Sequence, residues 1–277
     1  MDTMAFSGWI FLSSLLAGLL GALTGLGGGV VIVPVLTILF HIDIRYAIGA
    51  SLVSVIATSS GAAAAYVREG FSNIRIGMFL EIATTLGALL GAWLTAKVTT
   101  HTIGILFGVV LLYSAYSSLR ARHDHLDAKP DALALKLKLS GCFPGENGPE
   151  KYLAHRVPAG FGLMFAAGTL SGLLGIGSGA VKVLAMDQAM RLPFKVSTTT
   201  SNFMIGVTAA ASAGIYLSRG YISPGLAMPV MLGVLAGSLA GSHLLVKARV
   251  HTLRVVFAVV IVALGVEMIY NSMAGKL

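Results

Sequence analysis

Two glycine clusters interrupt the longest apolar stretches of this sequence, and each could bind a negatively charged solute. The clusters are Gly-Leu-Gly-Gly-Gly at 25–29 and Gly-Ile-Gly-Ser-Gly at 175–179. Glycine weakens a helix, and a helix that restarts after a break presents free N–H groups and the positive end of its dipole. Such an end favours an anion. The alternative is that these glycines only allow close helix packing. The candidate binding positions are Gly27, Gly28, Gly29, Gly177, Ser178 and Gly179.

Lys182 is the strongest single candidate for contact with an anion. It follows the second cluster by three positions inside an apolar run, whereas the matching position after the first cluster is Ile32. An ammonium group at the centre of a bilayer costs at least about 2.5 kcal/mol, so such a residue usually faces a cavity or a partner. The alternative is a position nearer the interface, from which the side chain extends to the headgroups.

The segments that follow the two clusters carry matching polar side chains, Ser51 in the first and Thr200, Ser201 and Asn202 in the second. Hydroxyl and amide donors near the glycine breaks could hydrogen-bond the oxygens of an oxyanion. The same residue types also join membrane helices to each other by hydrogen bonds. Both interpretations stay open at this stage.

Glu81, His243 and Glu267 are candidates for carrying a coupling proton, because each is an ionisable residue within an apolar segment. Histidine has an intrinsic pKa suited to switching near neutral pH. Structural pairing or an interfacial position would explain each of them equally well. The sequence has neither a Gly-x-Ser-x-Gly elbow nor a His-Glu-x-x-His pair, so we expect no enzyme activity, no cofactor and no metal site.

The composition places the chain in a bilayer. Hydrophobic residues make up 56% of its 277 residues and charged residues only 11%, whereas a soluble domain has about 25% charged residues. The net charge of +8 does not indicate nucleic-acid binding, because the Lys and Arg residues lie in short loops rather than on a continuous basic face. The single cysteine, Cys142, allows no internal disulfide.

The chain contains an internal repeat, since residues 17–116 align without a gap on 167–266 and about a quarter of the aligned pairs are identical. Two apolar stretches are too long for one crossing and contain the glycine clusters, so we expect each to be a broken helical hairpin. The apolar stretches lie at 7–40, 47–67, 74–96, 102–119, 157–186, 195–217, 223–246 and 252–273.

The distribution of Lys and Arg favours this hairpin arrangement. With hairpins that return to the side they left, 14 of the 19 basic residues are cytoplasmic, against 11 if the long segments cross once. Each half then has an odd number of segments, which makes the halves inverted repeats. We therefore predict an all-α polytopic membrane protein with two inverted-topology repeats, each a glycine-broken hairpin plus three transmembrane helices, at 1–119 and 157–277.

Between the repeats, residues 120–156 predict a cytoplasmic linker with a small β-hairpin. Leu133, Leu135, Leu137 and Leu139 alternate with polar or small residues, which favours a strand, and the segment from Pro144 to Pro149 is a strong turn signal. A connector is the simpler interpretation than a binding module.

The chain resembles the sulfite exporter TauE/SafE family of bacterial membrane proteins over residues 8–272. The resemblance is carried by the stretch from Gly21 to Pro34, by 47–52, by 171–179 and by 137–141. It implies a transporter of sulfur-containing anions, such as sulfite or small organosulfonates, in the cytoplasmic (inner) membrane, working as an exporter by alternating access.

A passive anion channel is the alternative to a carrier, and it would use the same central pocket between the two glycine clusters. The expected partners are the small anion and the lipid bilayer, with no nucleic acid. The glycine faces permit a homodimer, although packing within one chain would use the same residues. Because Ser178 and Lys182 have no equivalents in the first half, we expect the anion to be held mainly by the second half.

Overall fold

The computed structural model describes residues 3–24, 28–68, 72–119, 131–145, 148–177, 179–245 and 250–275. In the first half the elements are α1 (Thr3–Thr24), α2 (Gly29–Pro34), a π-helical turn (Val35–Leu39), α3 (Ile44–Arg68), α4 (Ile74–Leu94) and α5 (Thr100–Leu119). The linker contains α6 (Ala132–Lys136), β1 (Ser140–Gly145) and β2 (Gly148–Leu153). The second half contains α7 (Val157–Leu174), α8 (Gly179–Leu184), a π-helical turn (Ala185–Ala189), α9 (Phe194–Ser218), α10 (Pro224–Leu245) and α11 (Val250–Met273).

The two halves have the same order of elements, at nearly the same spacing as the sequence repeat. In each half a long helix is followed by a short helix and one π-helical turn, and then by three long helices. Only the first π-helical turn follows a proline, Pro34, whereas Leu184 precedes the second. Proline is therefore not what widens the helix at this point, and the π turn belongs to the shared hairpin design.

Each glycine-broken segment returns to the level at which it began. In the first half the rings of Phe6 and Phe40, from opposite ends of the segment, make an edge-to-face contact with centroids 5.8 Å apart. In the second half the N–H of His155, just before α7, donates to the carbonyl of Met190 at 3.0 Å. Both segments are therefore hairpins in which the short helix folds back along the long one.

Close helix pairs join the two halves. α4 packs on α7 and α1 on α10, while α3 packs on α9 and α5 on α11. Glycines make the first pair tight, because a Cβ at Gly87 would overlap the carbonyl oxygen of Phe165 and one at Gly168 would overlap that of Thr84. Gly233 and Gly237 approach the backbone of α1 in the same way. These glycine faces are occupied by packing within the chain.

Many large apolar side chains lie on the outer surface, among them Leu86 at 54% exposure, Leu239 at 58% and Val259 at 63%. Among the described residues, Ile74–Leu94 and Val157–Leu174 are the helices whose length and hydropathy satisfy the requirements for crossing a membrane. An apolar exterior around a core that contains polar side chains is the arrangement expected in lipid.

The linker contains the expected hairpin, but the strand prediction for 133–139 is wrong. β1 and β2 pair antiparallel with Gly145 opposite Gly148. Leu133 and Leu135 instead lie in α6, because the Asp131 carboxylate accepts from the N–H of Leu133 and caps that helix. The other oxygen of Asp131 accepts from the N–H of Val157 at 3.1 Å, which ties the linker to the start of α7.

Candidate functional site

The two glycine breaks meet each other beside the middle of α3. A Cβ at Gly29 would lie 2.7 Å from Oγ of Ser51, 2.8 Å from Val55 and 3.2 Å from the carbonyl oxygen of Gly175. Val55 is roughly 16 Å along α3, a helix of about 37 Å. Both breaks therefore lie in the interior, at mid-height and in contact, rather than at the ends of the bundle.

Side chains from other elements satisfy the carbonyl groups that the second break exposes. Oγ of Ser51 donates to the carbonyl of Gly175 at 2.8 Å, and the hydroxyl of Tyr216 lies 3.1 Å from the carbonyl oxygen of Gly172. Gly175 and Gly177 have φ values of +67° and +68°, a conformation that glycine adopts without strain. Lipid could not supply these hydrogen bonds, so the break is stable only because protein encloses it.

One face of α9 runs past the second break. Ser201, Ile205 and Thr208 follow the spacing i, i+4, i+7, which places them on the same side of the helix. Oγ of Ser201 donates to the carbonyl of Gly179 at 3.3 Å, and a Cβ at Gly177 would lie 2.8 Å from Ile205. The same helix face thus contacts the break and leads directly to Lys182.

Lys182 is fully buried, with 0% of its surface exposed, so its ammonium group does not extend to the headgroups. Its Nζ donates to Oγ1 of Thr208 at 2.5 Å. The same hydroxyl lies 2.7 Å from Oε1 of Glu81, to which it can donate. An ammonium group of the second half and a carboxylate of the first half are therefore joined through one threonine hydroxyl.

The remaining candidates lie in different surroundings. Oγ1 of Thr200 accepts from the N–H of Asn73 at 3.1 Å, at the start of α4, and Asn202 is half-buried. Glu267 is exposed on α11, apart from the buried Lys182. Gly27 and Ser178 lie outside the described residues, as does the side chain of His243.

Sequence reasoning missed the buried polar residues Thr208 and Asp187. Thr208 was detectable, because the repeat aligns it with Thr58, so that a threonine occupies the equivalent position in both halves. Asp187, only 5% exposed in the second π-helical turn, was overlooked because it lies where the apolar stretch ends. Within the described ranges, no three His, Cys, Asp or Glu side chains form a group that could hold a metal ion.

A family of known membrane proteins matches this chain. The family described as Sulfite exporter TauE/SafE matches residues 10–268. The chain belongs to the TauE/SafE family. This confirms the resemblance seen in the glycine clusters and in the segments around them.

Curated relatives match almost the whole chain. The Probable membrane transporter protein YunE of Bacillus subtilis (strain 168) is 28% identical over 93% of this chain and 95% of its own length. The Probable membrane transporter protein MJ0441 of Methanocaldococcus jannaschii is 24% identical over 92% of both chains. No solved structure matches the chain. The TauE/SafE assignment and these relatives identify a multi-pass membrane transporter.

Proposed function

We propose that this protein is a secondary transporter that moves sulfur-containing anions, sulfite or small organosulfonates, out of the cell across the cytoplasmic membrane. The single observation that carries the proposal is the meeting of two glycine breaks at mid-height beside the buried Lys182. Irregular backbone and a buried cation at that depth are expensive, and in membrane proteins they mark a pathway for a solute. The family supports sulfite or a chemically related anion.

In this proposal the anion binds where the two breaks meet. Lys182 supplies the positive charge, and the restarted helices at Gly28, Gly29, Gly177 and Gly179 supply N–H groups. Ser51, Ser201, Asn202 and the candidates outside the described residues, Gly27 and Ser178, complete the set. Oγ1 of Thr200 accepts from the N–H of Asn73, which leaves its own proton available to an anion. The hydroxyls of Ser51 and Ser201 donate to backbone carbonyls in this state, so both would have to turn to bind the anion.

The two halves are inverted repeats in this proposal, with the linker on the cytoplasmic side. The orientation is supported by Arg45, Lys97 and Arg219, three of the four basic residues that the hairpin arrangement puts on the outer side, because they gather at one end of the bundle. Arg219 donates to the carbonyl of Ala92 at 2.7 Å, Arg45 donates to the carbonyl of Val98 at 3.2 Å, and Lys97 follows α4 directly. The linker packs at the opposite end, where Tyr152 meets Asn73.

Alternating access is part of this proposal, because the most extensive helix pairs, α1–α10, α4–α7, α5–α11 and α3–α9, each join one half to the other. Rocking one half against the other would open the central site first to one side and then to the other. The breaks would remain at the pivot. The anion would therefore stay between the same residues while its exit changed sides.

Flux measurements in proteoliposomes test the proposal. We expect saturable uptake of radiolabelled sulfite by the wild type, and a loss of about tenfold or more in Lys182→Ala, since a charge-assisted hydrogen bond contributes about 1.5–3 kcal/mol. Lys136→Ala is the matched control, because Lys136 is exposed in the linker. Undiminished flux in Lys182→Ala would remove Lys182 from the site, and ohmic single-channel current would show a passive channel instead.

A further inference from the structure

We infer that Glu81, Thr208 and Lys182 form a proton-coupling site, in which one proton bound at Glu81 frees Lys182 to bind the anion. The inference rests on the proposed function and identifies its coupling ion. A chain of hydrogen bonds connects the two halves, from Nζ of Lys182 through Oγ1 of Thr208 to Oε1 of Glu81. Both ends of this chain are buried, with 0% and 8% exposure.

Glu81 has one oxygen already engaged and one oxygen available. Oε1 accepts from Thr208 and, at 3.2 Å, from the hydroxyl of Thr85. Oε2 is buried and has no hydrogen-bond partner among the described residues. A buried carboxylate oxygen left in this way is costly, and protonation or a bound solute removes the cost. The carboxyl group is therefore the point in the site at which a proton would bind.

The hydroxyl of Thr208 can change its hydrogen-bond acceptor when the carboxyl group of Glu81 gains or loses a proton. It has one proton and two acceptors within reach, Oε1 of Glu81 at 2.7 Å and the carbonyl oxygen of Met204 at 2.9 Å. When Glu81 is ionised, the charge-assisted bond to the carboxylate is the stronger one. When Glu81 is protonated, the carboxylic acid can donate to Thr208, and the hydroxyl turns to Met204.

The charge of the site changes with this switch. An ammonium and a carboxylate together are neutral, so the site has no net attraction for an anion. One added proton gives the site a net charge of +1, which an anion can neutralise. Proton binding and anion binding therefore strengthen each other by the same factor. This coupling predicts that anion and proton move in the same direction, so export requires an outward anion gradient that exceeds the inward proton gradient.

Few other ionisable groups lie on the helices that surround the hydrogen-bonded residues Lys182, Thr208 and Glu81. α7, which packs on α4, carries no charged or titratable residue. On α4 itself Arg75 is exposed, and on α9 Lys195 is exposed while the hydroxyl of Tyr216 is bonded to Thr95. The others on the elements that touch α8 are His101, Tyr113 and Tyr116, all exposed, and the buried Asp187. Glu81 is thus the carboxyl group directly bonded into the chain.

The test follows protons and anions together in proteoliposomes that contain a pH-sensitive dye in the lumen. The probe is isethionate, because its sulfonate stays ionised across the pH range and carries no proton by itself. An inward isethionate gradient should acidify the lumen with the wild type, with about one proton taken up for each anion. Binding of isethionate to the wild type should weaken as the pH rises, by up to about tenfold per pH unit, as linkage to one proton requires.

Glu81→Gln separates coupling from transport. For each isethionate that this variant exchanges, at least about tenfold less proton should enter the lumen, and the pH dependence of isethionate binding should disappear. Thr208→Ser should keep the coupling and Thr208→Val should weaken it, because only serine keeps the hydroxyl. Glu150→Gln, in the linker hairpin, is the control for the same change elsewhere.

The outcomes are distinguishable. A wild type that moves neither sulfite nor isethionate would overturn the proposed function. Saturable isethionate uptake by the wild type with no change of luminal pH would overturn the coupling inference alone, and this result does not depend on any variant folding. Coupling that survives in Glu81→Gln but is lost in Glu267→Gln would also overturn it, because it would assign the proton to the exposed carboxyl group on α11.

Discussion

Ser51→Ala tests most directly whether the two glycine breaks depend on each other. The hydroxyl of Ser51, on α3 of the first half, donates to the carbonyl of Gly175 in the second break at 2.8 Å, and both residues are buried. Alanine would leave that carbonyl without its donor in a region that water does not reach. The expected loss in the free energy of unfolding is about 1–3 kcal/mol.

Ser54→Ala is the matched control, one turn further along the same helix. Its hydroxyl bonds to the carbonyl of Ser51 at 2.8 Å within α3, and that carbonyl also has its own helical donor. The expected loss is at most about 1 kcal/mol. Unfolding of both variants in mixed micelles, followed by circular dichroism, gives the comparison. Equal losses in the two variants would contradict the contact between the breaks.

A double-mutant cycle sharpens the same prediction. Gly29→Ala alone places a Cβ 2.7 Å from Oγ of Ser51 and 2.8 Å from Val55, closer than ordinary van der Waals contact, at an expected cost of about 1–3 kcal/mol. In Gly29→Ala/Ser51→Ala the first of these clashes is gone. The double variant should therefore be less destabilised than the sum of the single ones, by about 0.5–1 kcal/mol. Strict additivity would show that Gly29 and Ser51 are not in contact.

Two further predictions concern helix packing and the linker. Gly87→Ala should destabilise the protein by about 1–3 kcal/mol, because its Cβ would overlap the carbonyl of Phe165. Gly162→Ala should stabilise α7 by about 0.5–1 kcal/mol, because its Cβ would meet nothing within 4 Å. The two variants should therefore shift the melting temperature in opposite directions in thermal unfolding. Burial raises the pKa of Tyr152 above its usual value of 10.0, so its contribution to stability is present below about pH 10 and is lost as the pH rises through the folded-state pKa. The protection factors of the β1 and β2 amides, which are corrected for base-catalysed exchange, should therefore fall above pH 10 in the wild type, and Tyr152→Phe should remove that fall.

Much of the fold was predictable because local backbone chemistry determines it. A cluster of glycines weakens a helix, and α1 and α7 end at Thr24 and Leu174, directly before the two clusters. The turn between Pro144 and Pro149 likewise predicted where β1 and β2 meet. The strand expected at 133–139 failed, because period-two alternation over so few residues competes with a helix cap such as Asp131.

The sequence by itself determined the internal repeat, the positions of the helix breaks and the presence of a lysine where lipid would reject it. These features follow from composition and from chain order. Only the tertiary structure decided which residues face that lysine. Thr208 and Glu81 are 127 positions apart, and they meet because α4 packs against α9. A hydrogen bond depends on distances of a few tenths of an ångström, and no periodicity along the chain encodes such a distance between two separate helices.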